Sequence, residues 1–173
     1  YYTQPGFYAT AATTYNIVSG TRNFFPIYLP TATTCDQIAV EQTTAAAAGK
    51  LVRFGLIAAD KWWQPTGSAL IDSGNVAADG ANGVKTYTPG SPVSLAAGRY
   101  LGVIHSDGAP AYRCYTGGSL AANYATTLGA TAIHCAWRVS TALAAIDTTA
   151  WDTVSATATY FLPFFMRFSD PAP

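Results

Sequence analysis

Asp60-Lys61-Trp62-Trp63-Gln64-Pro65 is the densest concentration of binding chemistry in the chain. Flat indole faces stack on the CH groups of a sugar ring, while an acid, an ammonium and an amide beside them bond its hydroxyls. Asp60, Trp62, Trp63 and Gln64 are therefore candidate ligand-binding residues. The segment falls in a hairpin loop, and on extended backbone two adjacent tryptophans cannot both point inward. A second reading stands beside the first: one indole seals the end of the fold and the other packs on a neighbouring subunit. Tyr112, Arg113 and Tyr115 form the next candidate group. Alternation places Tyr112 and Cys114 on one strand face and Arg113 and Tyr115 on the other. Tyrosine and arginine are enriched at binding hot spots. An interface between protomers uses the same physics.

Catalytic chemistry has little to work with. His105-Ser106-Asp107-Gly108 contains the residue types of a triad, but neighbours on a strand face opposite ways and no GxSxG elbow is present. Asp107-Gly108 is better suited to a turn, and His105 to packing or bonding between strands. Glycoside hydrolysis needs two carboxylates about 5–9 Å apart. The chain has a single Glu, Glu41, on the outward face of an expected strand, and its Asp residues mostly occupy turn contexts. No catalytic residue is assigned and no enzyme is expected. The oxygen-rich loops at Asp72-Ser73-Gly74-Asn75 and Asp79-Gly80-Ala81-Asn82 lack EF-hand spacing and read as plain turns. Cys35, Cys114 and Cys135 show no CxxC spacing, so no zinc site is expected. They read as three buried thiols, with one bridge plus one free thiol as the alternative. No metal and no cofactor is expected.

The surroundings of these residues are set by composition. Nine basic and nine acidic residues in 173 leave a formal net charge of zero. A basic surface able to neutralise phosphates is absent, which excludes a nucleic-acid partner held by charge. No apolar stretch approaches the roughly 18 residues of a membrane-spanning helix, so no membrane insertion is expected. Charged residues are only 10% of the chain against 50% hydrophobic and 13% aromatic. A lone domain so short of ions is poorly soluble, and the simplest resolution is a homo-oligomer in which copies cover one another.

The elements that position the candidates are strands. Thr, Val, Tyr and Phe abound, the strong helix formers Glu, Lys, Met and Arg are scarce, and Gly, Pro, Asn and Asp punctuate short runs. The fold class is therefore all-β, an antiparallel β-sandwich, in a single domain over residues 1–173 with 1–22 as an N-terminal connector. Asn23–Leu29 is extended, with Pro26 and Pro30 indicating an edge or strand end. In Cys35–Glu41, Ile38 and Val40 face one way and Gln37, Ala39 and Glu41 the other. Ala45–Gly49 is too short to nucleate a helix and reads as a loop. Lys50–Ala58 turns Val52, Phe54, Leu56 and Ala58 to one face and Arg53 outward. Ala69–Val76 breaks near Ser73-Gly74, and Val84–Thr88 is short. Gly98–Ser106, apolar on both faces, is central. Ala111–Tyr115 is expected to pair with it across Asp107-Gly108-Ala109-Pro110. Residues 119–151 show no clear period, and Val139–Ile146 fits either a short helix or a loop crossing the sandwich. Tyr160–Phe168 reads as one aromatic strand with one face in the core and the other against a neighbour.

Parts of this pattern resemble a β-sandwich domain of bacteriophage virion proteins, found in tail fibres, tail spikes and head fibres. The resemblance is carried by Asn23-Phe24-Phe25-Pro26-Ile27-Tyr28-Leu29-Pro30, Thr34-Cys35-Asp36-Gln37-Ile38-Ala39-Val40 and Ala48-Gly49-Lys50-Leu51-Val52-Arg53-Phe54-Gly55-Leu56-Ile57. It continues in Pro65-Thr66-Gly67-Ser68-Ala69-Leu70-Ile71-Asp72, Gly83-Val84-Lys85-Thr86 and Leu95-Ala96-Ala97-Gly98-Arg99-Tyr100-Leu101-Gly102-Val103, covering residues 23–115. Trp62-Trp63 stands where that pattern has a small polar turn, and 119–151 has no counterpart in it. The resemblance implies a jelly-roll-like sandwich, usually a trimer, located in the virion beside other virion proteins. It also implies an adhesive role, with host-surface carbohydrate as partner. A capsid decoration protein with a purely architectural role is the alternative, and a polysaccharide-degrading tail spike a third.

Overall fold

A computed structural model of the chain describes residues 9–117, 137–147, 155–156, 160–161 and 165–169. Among them the regular structure is all strand. In chain order the strands are β1 (Ala9–Asn16), β2 (Thr21–Leu29), β3 (Thr33–Thr44), β4 (Leu51–Ala59), β5 (Pro65–Asp72), β6 (Val76–Ala77) and β7 (Gly83–Tyr87). They continue as β8 (Val93–Leu95), β9 (Gly98–Ser106), β10 (Ala111–Gly117), β11 (Trp137–Ser140), β12 (Ser155–Ala156), β13 (Tyr160–Phe161) and β14 (Phe165–Ser169). They form two antiparallel sheets. The first runs β1-β10-β3-β14, with β13 on β10 and with β7 and β8 on β3; the second runs β12-β11-β2-β9-β4-β5, with β6 on β4. The chain changes sheet at most connections, and this sandwich topology is jelly-roll-like in that sense.

That habit overturns one expected pairing. Ala111–Tyr115 does not return along Gly98–Ser106; β10 lies in the first sheet between β1 and β3, and β9 in the second between β2 and β4. Asp107–Pro110 is thus a crossover. The Asp107 carboxylate accepts the N–H of Leu51 (2.7 Å), which pins this crossover to the start of β4. Residues 9–22, expected within a connector, belong to the sandwich: β1 pairs with β10 and Ile17 is buried in the core.

β9 is central, as its apolar faces require. Tyr100 and Ile104 join Phe25, Ile27, Val52, Phe54 and Leu56 in the core between the sheets. Leu101 and Val103 point the other way, into a second cluster with Phe24, Ile57, Trp63, Val139 and Ile146 on the outer face of the second sheet. β4 is likewise buried on both faces. β2 is interior, but its pairing with β11 covers only Thr21–Phe24 among the described residues, so Pro26 lies beyond that stretch, where a sheet tolerates proline.

β3 carries Ile38 and Val40 into the core as expected, and Cys35 as well. Strict alternation would turn Cys35 outward. The register along β14 shifts between Arg167 and Phe168, leaving Asp36 as an extra residue and reversing the phase. The C-terminal aromatic run divides into β13 against β10 and β14 against β3, with Met166 buried in the core. Val139–Ile146 is not helical: Val139 lies in β11, and Thr141–Asp147 crosses the outer face of the second sheet as a strap. β5 ends the second sheet, and its register against β4 slips on both sides of Ile57. Cys35 and Cys114 are buried free thiols; Cys135, Tyr1 and Tyr2 lie outside the described residues.

Candidate functional site

The loop joining β4 to β5 is five residues long, Asp60–Gln64, and its own polar groups fix its shape. The N–H groups of Trp62 (2.7 Å) and Gln64 (2.9 Å) donate to Asp60 Oδ1. The N–H of Trp63 donates to the Asp60 carbonyl (3.1 Å), and that of Asp60 to the Gln64 carbonyl (2.9 Å). An aspartate that caps two amides of its own loop is a strong turn former. The loop then tolerates an uncommon backbone, with Trp63 at φ +63°, which costs a bulky residue about 1–2 kcal/mol.

This left-handed step separates the two indoles. Trp63 turns back onto the outer face of the second sheet and is 8% exposed, among Phe24, Ile57, Leu101 and Ile146. Trp62 turns outward and is 67% exposed. The Lys61 ammonium lies 5.3 Å from the Trp62 ring centre, and the Arg99 guanidinium 5.7 Å from that of Trp63. Both are cation–π distances. Arg99 is placed by register: on β9 it stands opposite Tyr28 of β2 and Ala59 of β4, in phase with Leu101 and Val103 on the outer face. Tyr28 is 49% exposed. Arg99 and Tyr28 thus extend the tryptophan turn. Sequence reasoning missed both. Alternation puts Arg99 in phase with Leu101, but which strands flank it is not written locally.

Farther along the same outer face, toward the other end of β9, lies the strap. Arg22, only 2% exposed, donates from Nη1 to the Asp147 carboxylate (2.7 Å) and carbonyl (3.0 Å), and from Nη2 to the Ala145 carbonyl (2.9 Å). The N–H of Ile146 donates to Asp72 Oδ2 (3.1 Å), and that of Thr141 to the Gly20 carbonyl (2.9 Å). His105 Nε2 lies 3.1 Å from the Thr141 carbonyl; since a carbonyl only accepts, this nitrogen carries the proton. Arg22, His105 and Arg53 are successive cross-strand neighbours in one row. Burial pushes the His105 pKa down; the Thr141 and Ala144 carbonyls pull it up, and Arg22 and Arg53 add to the depression. Burial alone would raise the Asp72 carboxyl, but the Arg53 guanidinium and the Ile146 and Gly74 amides outweigh it and hold the pKa low.

The remaining candidates lie elsewhere. Tyr112 is wholly buried in the core between the sheets, which withdraws it as a ligand-binding residue and pushes its phenol pKa up. Arg113, on the first sheet, donates to Glu41 (3.2 Å). The backbone of Tyr115 lies in β10 opposite Ala12 and Phe161. The structure therefore unites Asp60, Trp62, Trp63 and Gln64, and leaves Arg113 and Tyr115 on the other sheet. Ser106 Oγ donates to the Leu51 carbonyl (2.8 Å), away from the His105 bond to Thr141. Asp79 accepts the Gly49 N–H (2.6 Å), a plain turn contact. Among the described residues no group of three potential metal ligands converges.

Comparison with family models, with curated proteins and with solved structures finds no match to this chain.

Proposed function

We propose that this chain is a structural and adhesive protein of a phage virion, the distal domain of a tail or head fibre, which grips host-surface carbohydrate at the Asp60–Gln64 turn. The observation that carries the reading is Trp62: an indole 67% exposed on a turn held by four internal hydrogen bonds. A fixed aromatic platform loses little conformational freedom when a sugar ring settles on it. The resemblance of residues 23–115 to virion fibre domains is what supports the location. The low charge of the surface supports a homo-oligomer, as a trimer in such fibres, whose repeated shallow sites substitute avidity for single-site strength.

Binding is proposed without turnover. Glycoside hydrolysis calls for an acid and a second carboxylate facing it. At this turn the carboxylate is Asp60, already occupied by two backbone amides. The architectural reading, a decoration protein clamping its neighbours, draws on Val84, an exposed apolar side chain on β7 at 62%.

A glycan array and an adsorption assay with the purified chain separate the two. Trp62→Ala is expected to abolish adsorption while melting like the parent. Full adsorption by a folded Trp62→Ala variant refutes the site, and a chain that sediments as an 18.1 kDa monomer at micromolar concentration refutes the assembly.

A further inference from the structure

Nine basic residues serve the whole chain, and four of them are engaged in ion pairs. Arg22, Arg53, Arg113 and Arg167 each hold a carboxylate. Lys61 and Arg99 do not: each is exposed, each lies over an indole of the same turn, and neither has a carboxylate partner among the described residues. Nearby acid offsets them only in part, one carboxylate against two cations. Asp60 is the only acid in the turn, and its Oδ1 is capped by two amides. Every other described carboxylate is engaged elsewhere: Asp36 with Arg167, Glu41 with Arg113, Asp72 with Arg53, Asp147 with Arg22, Asp79 with Gly49, Asp107 with Leu51. In a chain of zero net charge, two unpaired cations beside an exposed Trp62 and Tyr28 form a local positive excess.

We infer that the saccharide held at this turn is acidic, with its ring on Trp62 and its anionic group between Lys61 and Arg99. The inference rests on the carbohydrate-binding reading above and names its ligand class. An aromatic face supplies affinity for any pyranose, and the charges choose among them. The guanidinium adds a planar two-pronged donor that matches a carboxylate or a sulfate group. Both sources share an anionic group on a sugar ring, and the experiment distinguishes them.

The full chain is titrated, by tryptophan fluorescence and by biolayer interferometry, with two matched pairs: polygalacturonate against its methyl ester, and dextran sulfate against dextran. The expected result is tighter binding to a charged member, lost as salt is raised. Arg99→Gln and Lys61→Gln each weaken that binding by about two- to fivefold, the scale of an exposed ion pair, and weaken binding to the uncharged member by less, so that the preference for charge falls. Arg99→Lys retains more of the preference than Arg99→Gln. The pair showing the larger preference assigns carboxylate or sulfate. Equal binding to charged and uncharged members, abolished by Trp62→Ala, overturns the acidic ligand and leaves the carbohydrate site standing. Charged-polymer binding that survives Trp62→Ala is adsorption by charge and overturns the inference. No binding to any of the four removes both readings.

Discussion

Replacing Gly55 by alanine tests the packing of the outer face on which Trp63 also sits. Gly55 lies in β4 under the strap, and a Cβ built there would overlap the Ile71 carbonyl oxygen and fall 2.6 Å from Ile146 Cδ1. The two obstacles differ in kind. Ile146 can rotate or lift with the strap, whereas the Ile71 carbonyl is part of β5 and moves only if the strand does. Overpacking a closed site costs about 1–3 kcal/mol, and the fixed carbonyl places Gly55→Ala at the upper end, about 3 kcal/mol. For a chain of this size that corresponds to a fall of about 6–12 °C in Tm by calorimetry. Ile146→Ala alone costs about 2–3 kcal/mol through lost burial. Because it removes one of the two obstacles, the double variant recovers about 1 kcal/mol relative to the sum. A Gly55→Ala protein melting within about 1 °C of the parent refutes the close approach of the Ile71 carbonyl to Gly55. Strict additivity in the double variant refutes the placement of Ile146 over Gly55.

Further outcomes follow from the same geometry. Trp63→Ala, which empties a buried seat, costs about 3 kcal/mol, whereas Trp62→Ala stays within about 0.5 kcal/mol of the parent in thermal melts. The His105 pKa is depressed below its ordinary 6.5 by burial, so the unfolded chain binds the proton more readily. Its contribution to stability is therefore complete above pH 6.5 and declines as pH falls from there through the folded value. Melts between neutral and mildly acidic pH show the slope, and His105→Gln flattens it. Burial pushes both the Cys35 and the Cys114 thiol up to about 11, so iodoacetamide at neutral pH leaves both unlabelled until the chain unfolds, as read by peptide mass mapping.

The sandwich was legible wherever local pattern and burial agree. β9 announces its central place because both of its faces are apolar, and the break at Ser73-Gly74 ends β5 where turn chemistry says it must. Partner choice was less legible. Asp107-Gly108-Ala109-Pro110 has the composition of a hairpin and of a crossover alike, and only the distant pairing of β10 with β1 decides between them. The phase of β3 is hidden by a single extra residue at Asp36. At the candidate site, the exposure of one tryptophan and the burial of the next depend on a left-handed step at Trp63, which no periodicity encodes. Arg99 and Tyr28 enter only through cross-strand register. The strap was illegible for a further reason: Thr141–Asp147 has no pattern of its own and is held in place by Arg22, His105 and Asp72, residues far from it in the chain.

The slipped register of β5 bears on what the margin of the second sheet offers to another strand. A boundary strand that is straight and evenly spaced is a template on which another chain can continue the sheet, and such growth has no natural end. With two slips astride Ile57, β5 offers no such uninterrupted ladder. This margin is thus a poor template for the addition of another strand.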